Sequence, residues 1–194
     1  EIGDEGYDLG HLFDFGEPDG DAGWVGCVCI SGQKGQAYAT HPFEAIFGGT
    51  YRNDYFDLDY VGHEIGHQFG AYHTFSYNLE SFGVSAEPGS GYTIMGYAGI
   101  TGPDNLQKHG DPYFHYYSIK NISNYVATIS CGNTVSIDNE VFRIDAGPDY
   151  YIPIGTAYEL NFNPVKEEGF NYYCWEQLDS AEITSDNFGP NNVI

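Results

Sequence analysis

Basic residues are scarce in this chain of 194 residues, which has 6 Lys and Arg against 28 Asp and Glu and a formal net charge of −22. Nucleic acids and anionic membrane surfaces are bound through clustered Lys and Arg, so this composition argues against both as partners. No apolar run of about 18 residues occurs, and we therefore expect no membrane-spanning helix. The opening residues are acidic and polar and carry no signal-peptide pattern.

A cluster of histidines lies in the eleven residues that begin at His63 and read His-Glu-Ile-Gly-His-Gln-Phe-Gly-Ala-Tyr-His. On a helix, His63 and His67 project in the same direction because they stand four residues apart, so both can bind one metal ion. Gly70 can adopt the left-handed conformation that ends a helix, which lets His73 reach the same ion. Three protein ligands leave one zinc position for water, and Glu64 can orient and deprotonate that water. The segment predicts a catalytic zinc site; three histidines with purely structural roles are the disfavoured alternative.

Methionine occurs only once, and its position adds to this prediction. The histidine segment resembles the long zinc signature of the metzincin metallopeptidases, whose second hallmark is a methionine turn. Met95 lies 22 residues after His73 in a turn bracketed by glycines, which is similar to that Met-turn. The resemblance implies that Met95 forms a hydrophobic floor beneath the metal and is not a ligand. A lone methionine that only fills the core is the alternative.

Within the metzincins, the chain is most similar to the reprolysin or ADAM-like branch, particularly to secreted enzymes of Bacteroidetes-type bacteria. Residues 7–13 resemble the segment before the edge strand of that branch, and Gly23–Cys29 resemble the edge strand itself. Residues 118–126 are similar to the last helix of the catalytic domain. The resemblance spans residues 7–132 and is most specific in the histidine segment and at residues 91–97.

The resemblance implies an α/β (α+β) metzincin catalytic domain over residues 1–132. We expect a partial upper sheet subdomain and a helical lower subdomain, with the cleft between them. The family places a larger subdomain before the zinc helix than residues 1–62 supply. An upstream segment or a second chain is therefore expected to complete the peptidase domain, because these residues alone cannot form the parallel sheet above the cleft.

Two positions bear on the branch and on the chemistry. Thr74 stands where reprolysins usually have Asp directly after the third histidine. Tyr97 follows Met95 by two residues, a spacing at which astacins and serralysins have a tyrosine that binds zinc and then hydrogen-bonds the transition state. Pappalysin-like enzymes carry such a tyrosine without necessarily binding zinc through it. Tyr97 is thus a candidate transition-state stabiliser, and the alternative is that it only lines the pocket.

The sequence changes character after residue 132. Short runs of β-type residues alternate with turns marked by Gly and Pro at a spacing of about ten residues, which is typical of a β-sandwich. The order of these segments resembles the first half of a PKD or immunoglobulin-like module, with Trp175 as the core tryptophan of the third strand. We expect residues 133–194 to form a partial β-sandwich module that acts as a spacer or binder.

The chain has four cysteines, and in an exported protein these suggest disulfides, with three connectivities if all four pair. The reprolysin resemblance would join the edge-strand cysteine to Cys131. Either Cys29 or Cys27 could serve, because alternate strand positions share a face, and we favour Cys29. Cys174 is expected in the core of the C-terminal module. We predict a secreted, extracellular protein.

Calcium is a second metal to weigh. The acidic residues of segment 14–21 supply oxygen ligands of the type that calcium prefers. A solvated acidic loop is the favoured interpretation, so a calcium site is unsupported beyond this composition.

The resulting hypothesis is a zinc-dependent endopeptidase with a protein or peptide substrate, in which Glu64 acts as general base and then general acid. An extended substrate is expected to pair with the predicted edge strand, and residues 96–101 are expected to form a wall of the pocket after the cut. One alternative is a proteolytically silent, zinc-bearing adhesion or structural fragment of a secreted multidomain protein. Another is a zinc hydrolase that acts on a substrate other than peptide.

Overall fold

The computed structural model describes residues 2–42, 54–137, 144–153, 155–164, 173–180 and 182–187. A sheet of three strands comes first in the chain and is followed by the helices that carry the histidine segment. The strands are β1 (His11–Asp14), β2 (Asp19–Asp21) and β3 (Ala37–Thr40). This small mixed α/β architecture is compatible with part of a metallopeptidase domain. It agrees with the predicted fold class at the level of mixed α/β structure.

The sheet has the order β1-β3-β2, with β3 in the centre. β1 pairs with β3 in parallel, whereas β2 pairs with β3 antiparallel and forms an edge of the sheet. The central strand buries its alanines: Ala37 and Ala39 are buried on one face while Tyr38 and Thr40 are partly exposed. β2 is therefore the antiparallel edge strand of the described sheet.

The prediction of an edge strand at Gly23–Cys29 was wrong, because these residues form turns. Gly23, Gly26 and Cys29 have positive φ angles of 70°, 73° and 67°, which an extended strand does not accommodate. The amide of Gly26 instead donates to the carbonyl oxygen of His67 at 2.8 Å. Residues 23–29 therefore bind the end of the helix that carries His63 and His67, and the alternation of apolar residues along them does not reflect a sheet face.

The first long helical segment begins with a π-helical turn, Phe56–Gly62, and continues as α1 (His63–Gln68). Gly70 has a φ of 91° and donates its amide to the carbonyl oxygen of His67 at 2.8 Å, so it ends the helix as the sequence predicts. The second helix is α2 (Tyr116–Val126), whose N-cap residue His115 accepts a hydrogen bond from the Tyr117 amide.

A small apolar core lies directly beneath α1 and is formed by Ala71, Ile94 and Met95. Leu58, Phe114 and Ile122 pack against this core from the neighbouring segments. The contact with the helix is so close that a Cβ atom added at Gly66 would lie 2.5 Å from the Met95 sulfur. Met95 is fully buried and forms a floor under the histidine-bearing helix.

A disulfide joins Cys29 to Cys131 across 102 residues of sequence, and it ties the loop after β2 to the chain beyond α2. The Tyr125 hydroxyl donates to the Val28 carbonyl oxygen at 2.8 Å beside this bridge. Cys27 is a free, buried thiol and Cys174 is a free, exposed thiol. The bridge and the tyrosine fix the turn region that contacts the end of α1.

The C-terminal residues are mostly exposed. Their described strands are β4 (Ile144–Asp145) and β5 (Asn163–Pro164), which pair antiparallel over two residues each. Trp175, the expected core residue of a β-sandwich, is 43% exposed. The described residues beyond 132 thus do not display a sandwich, and this module stays a prediction.

One described C-terminal residue, Ile183, nevertheless lies in the interior of the part of the fold that carries the histidine segment. Ile183 is 1% exposed. Its amide donates to the carbonyl oxygen of Ser76 at 3.0 Å, and its carbonyl oxygen accepts from the Gly89 amide at 2.9 Å. Further along, the Ser185 amide donates to a carboxylate oxygen of Asp104. Residues 182–187 therefore pack against the loops that follow the third histidine.

Candidate metal centre

Three histidine nitrogens converge beside α1. The Nε2 atom of His67 lies 3.2 Å from that of His63 and 2.9 Å from that of His73. The two helical histidines come together through their spacing of four residues, and Gly70 reverses the chain so that His73 joins them. Of the side chains in the described ranges, these three form the group capable of holding a metal ion, with ligand atoms within 4.8 Å of one another.

The outer nitrogens of the helical histidines define which tautomer is present. The Nδ1 atom of His63 lies 2.7 Å from the Ile94 carbonyl oxygen, and that of His67 lies 2.8 Å from the Ala71 carbonyl oxygen. Because a carbonyl oxygen only accepts, each Nδ1 carries the proton and donates it. Each Nε2 is left with a lone pair that points into the centre of the cluster.

The third histidine is held by a side chain. His73 Nδ1 lies 3.0 Å from Glu80 Oε1, so its Nε2 is also turned toward the other two rings. Burial holds the pKa of His73 down to about 3, with a further contribution from His67. Burial likewise lowers the pKa of His63 well below its usual range, and it lowers that of His67.

Three neutral imidazoles that aim their lone pairs at one point repel one another unless a cation lies between them. This donor set is the one that zinc prefers, with three histidines and one position left for water or substrate. The residues present therefore fit a zinc ion, and the nitrogens that would hold it are Nε2 of His63, His67 and His73.

Glu64 lies beside the first histidine and is 8% exposed. Burial, together with the charges of Asp21 and Asp19, raises its pKa to about 7, although a hydrogen bond with the Ala22 backbone acts in the opposite direction. A carboxyl group with a pKa near neutral can both accept and return a proton. The edge strand approaches closely, since a Cβ atom at Gly20 would lie 2.6 Å from Glu64 Oε1.

Tyr97 flanks the cluster on the side of the Met-turn. Its ring centroid lies 4.5 Å from that of His73 and 5.7 Å from that of His63. Burial raises the pKa of Tyr97 to about 12, and the charges of Glu80 and Glu64 contribute to this rise. The phenol therefore keeps its proton at neutral pH and can donate a hydrogen bond next to the point at which the histidines converge.

A buried carboxylate that the sequence analysis missed connects the third histidine's segment with the Met-turn. Glu87 is 1% exposed and accepts hydrogen bonds from the hydroxyls of Thr74 and Thr93 and from the amides of Tyr92 and Thr93. Thr74 also donates its amide to the Met95 carbonyl oxygen at 3.1 Å. The one sequence signal was Thr74 itself, which stands where reprolysins have Asp and here binds a carboxylate from another segment.

The metal centre lies between two cavities. The larger has a volume of about 420 Å³ and is lined by β2, by residues 96–100 and by His109. The smaller has a volume of about 270 Å³ and is lined by residues 20–25 and by the three histidines. Both cavities contact Gly20, Glu64 and Tyr97. The predicted pocket wall after Met95 therefore lines the larger cavity as far as Ile100.

A three-histidine group with an adjacent buried glutamate, set between two cavities, is the arrangement typical of a mononuclear metallohydrolase. The chain belongs to the reprolysin-like metallopeptidases of family M12B, whose family model, described as Metallo-peptidase family M12B Reprolysin-like, matches residues 1–142. No curated protein and no solved structure matches the chain. The predicted peptidase class is confirmed at the level of this family, and the family implies zinc.

In the ranges that the structure describes, none of the helices has the length and apolar composition needed to cross a bilayer.

Proposed function

We propose that the protein is a zinc-dependent endopeptidase whose zinc is held by His63, His67 and His73. The observation that carries this proposal is the convergence of three Nε2 lone pairs, each fixed by a hydrogen bond at the opposite ring nitrogen. Zinc, when bound, supplies a Lewis acid that polarises the scissile carbonyl and acidifies water. Glu64 takes the proton from the attacking water and delivers it to the leaving amine.

Tyr97 donates a hydrogen bond to the oxyanion that develops on the scissile carbonyl. Its raised pKa keeps the phenol protonated, and its position beside His73 and His63 brings it within the site. A donor of this kind is worth about 2.7–4 kcal/mol in transition-state stabilisation. Met95 supports the site from below through its contact with Gly66 and does not bind the metal.

The substrate is an extended peptide that lies along β2. This strand pairs with β3 on one side, and its Gly20 contacts Glu64 on the side of the cleft. An extended peptide beside an edge strand places alternate side chains toward alternate faces. The residue after the cut enters the larger cavity, whose wall includes residues 96–100, and residues before the cut contact the smaller cavity near Trp24.

The protein acts outside the cell. The disulfide between Cys29 and Cys131 supports an oxidising compartment. The acidic composition supports solubility in such a setting. The assignment to a Bacteroidetes-type branch and the PKD or immunoglobulin-like module belong to the same proposal and rest on the sequence resemblance.

The test combines zinc content with cleavage of an unstructured protein such as casein, with and without a chelator. We expect about one zinc per chain and cleavage that the chelator abolishes and added zinc restores. A Glu64→Ala variant serves as the matched control, because it should keep zinc and lose cleavage. Zinc binding without cleavage by the wild type would favour the silent adhesion or structural fragment, and failure to bind zinc would reject both.

A further inference from the structure

We infer that Glu80 is a positioning residue that holds His73 in its metal-binding orientation and thereby sets the zinc affinity of the site. This inference rests on the proposed function, in which His73 is the third zinc ligand. It concerns a side chain outside the histidine segment, seven residues beyond His73 in the sequence.

The three histidines are not held in the same way. His63 and His67 stand on α1, and their Nδ1 atoms donate to backbone carbonyl oxygens that the fold itself fixes. His73 lies after the helix in a segment without regular secondary structure, and its Nδ1 atom contacts a carboxylate instead. Among the three candidate ligands, His73 is therefore the one whose orientation depends on another side chain.

Neighbouring rings fix the plane of the His73 imidazole, and Glu80 determines which of its two nitrogens faces the other histidines. The ring of Phe75 stacks at 4.9 Å and that of Tyr97 lies edge-on at 4.5 Å. An aromatic face accepts a ring without distinguishing its two nitrogens. Glu80 Oε1 distinguishes them, because it accepts a hydrogen bond at 3.0 Å from Nδ1 and leaves Nε2 directed at His67.

The carboxylate is specific to this contact. Among the residues that the structure describes, His73 is the one whose side-chain nitrogen lies within hydrogen-bonding distance of the Glu80 carboxylate. The Glu80 side chain is 27% exposed, so a bond to the charged carboxylate is only partly screened by water. A carboxylate that accepts from a ligand's outer nitrogen also makes the imidazole a stronger donor to the metal.

Loss of such a partner lowers metal affinity about 10- to 100-fold. We expect a rise of that size in the zinc Kd of Glu80→Ala, which removes both the acceptor and the charge. Glu80→Gln keeps an acceptor oxygen and loses only the charge, so its zinc Kd should lie between those of the wild type and Glu80→Ala. Because Glu80 lies in a partly exposed loop, the zinc-free variants should keep the thermal midpoint of the zinc-free wild type.

The experiment measures zinc Kd by competition with a chromophoric chelator on the full chain, together with the thermal midpoint of each zinc-free protein. Asp59→Asn is the matched control, because Asp59 Oδ2 and His109 Nδ1 lie 2.7 Å apart and form a second carboxylate–imidazole pair that includes none of the three histidines. That variant should leave zinc Kd unchanged. Cobalt substitution adds a spectroscopic measure, since a reoriented His73 changes the ligand-field bands.

The outcomes separate this inference from the proposed function. Weaker zinc binding by Glu80→Ala, intermediate binding by Glu80→Gln and unchanged binding by Asp59→Asn support it. A Glu80→Ala protein that binds zinc as tightly as the wild type overturns it and leaves the endopeptidase proposal intact. If His73→Ala also binds zinc as tightly as the wild type, the three-histidine site itself is wrong and both proposals fail.

Discussion

The loops around α1 bury polar side chains, whereas the described residues after 144 expose large apolar ones. Near the helix, Glu64, Gln68, Thr74 and Glu87 are buried. In the C-terminal part, apolar side chains lie at the surface instead, and Tyr151 is fully exposed. Burial of a polar group is costly unless it is hydrogen-bonded. Each of these four side chains is hydrogen-bonded, which offsets the cost of burying it near the helix.

The largest effect is expected from a change that removes the chemistry of the buried site and leaves its structure in place. Glu64→Gln keeps the shape of the side chain and removes the proton acceptor. We expect kcat/KM to fall about 100- to 10,000-fold, the usual contribution of a general base. Zinc content should stay at the wild-type level. Steady-state cleavage of a fluorogenic peptide measures the loss, and wild-type activity in this variant would show that Glu64 is not the base.

A second change separates the two possible roles of Tyr97. Tyr97→Phe keeps the ring that packs against His73 and Phe75 and removes only the hydroxyl. A transition-state donor predicts that kcat falls about 100- to 1,000-fold with little change in KM. A residue that merely lines the pocket predicts a change in KM with kcat preserved. Full kinetic curves for both proteins therefore distinguish the alternatives.

A third test asks whether the C-terminal region stabilises the site through Ile183, the one side chain that is buried among the described residues after 132. Ile183→Ala removes a side chain that is 1% exposed between Ser76 and Gly89, and we expect a loss of about 2 kcal/mol or more in unfolding free energy. Ile152→Ala is the matched control, because Ile152 is 42% exposed, and its effect should stay within about 0.5 kcal/mol. Denaturant unfolding measures both, and equal effects would remove the distinction between the two positions.

The smallest expected effect is the pH dependence of the zinc-free protein. Burial lowers the pKa of His63, His67 and His73. The unfolded chain therefore binds more protons than the folded chain below about pH 6.5, and stability decreases as the pH is lowered from about 6.5 toward about 3. Glu64 acts in the opposite direction because its pKa is raised to about 7. In a Glu64→Gln background, acidification from about pH 7.5 to about 6.5 should therefore cost at most about 1 kcal/mol in total, the amount reached when all three folded-state rings stay neutral. Stability that rises on acidification would contradict the buried, neutral state of the three rings.

The helix-borne part of the site could be predicted because its information is local. His63 and His67 meet through helical spacing, and Gly70 turns the chain through a conformation that glycine favours. Met95 is the chain's sole methionine and lies in a glycine-bracketed turn, and the metzincin resemblance, not local spacing, gave it the role of a floor. The peptidase class followed from these residues and is confirmed by the family match.

The edge strand and the supporting carboxylates were beyond local reasoning. Val25, Cys27 and Cys29 alternate like strand residues, yet hydrogen bonds to the end of α1 and three left-handed residues decide their conformation. Glu80 and Glu87 meet their partners through loops of irregular structure, so no spacing rule indicates them. A sequence pattern does not reveal which loop segments hydrogen-bond to one another in this fold.

The central claim is that three histidines bind one zinc ion, and X-ray absorption at the zinc edge of the loaded protein tests it most directly. The account predicts three imidazole nitrogens at about 2.0–2.1 Å, with the remaining coordination supplied by oxygen. Multiple-scattering features of imidazole should decrease when His73 is replaced by Ala. A first shell that contains sulfur, or one with fewer than three imidazoles in the wild type, would contradict the account.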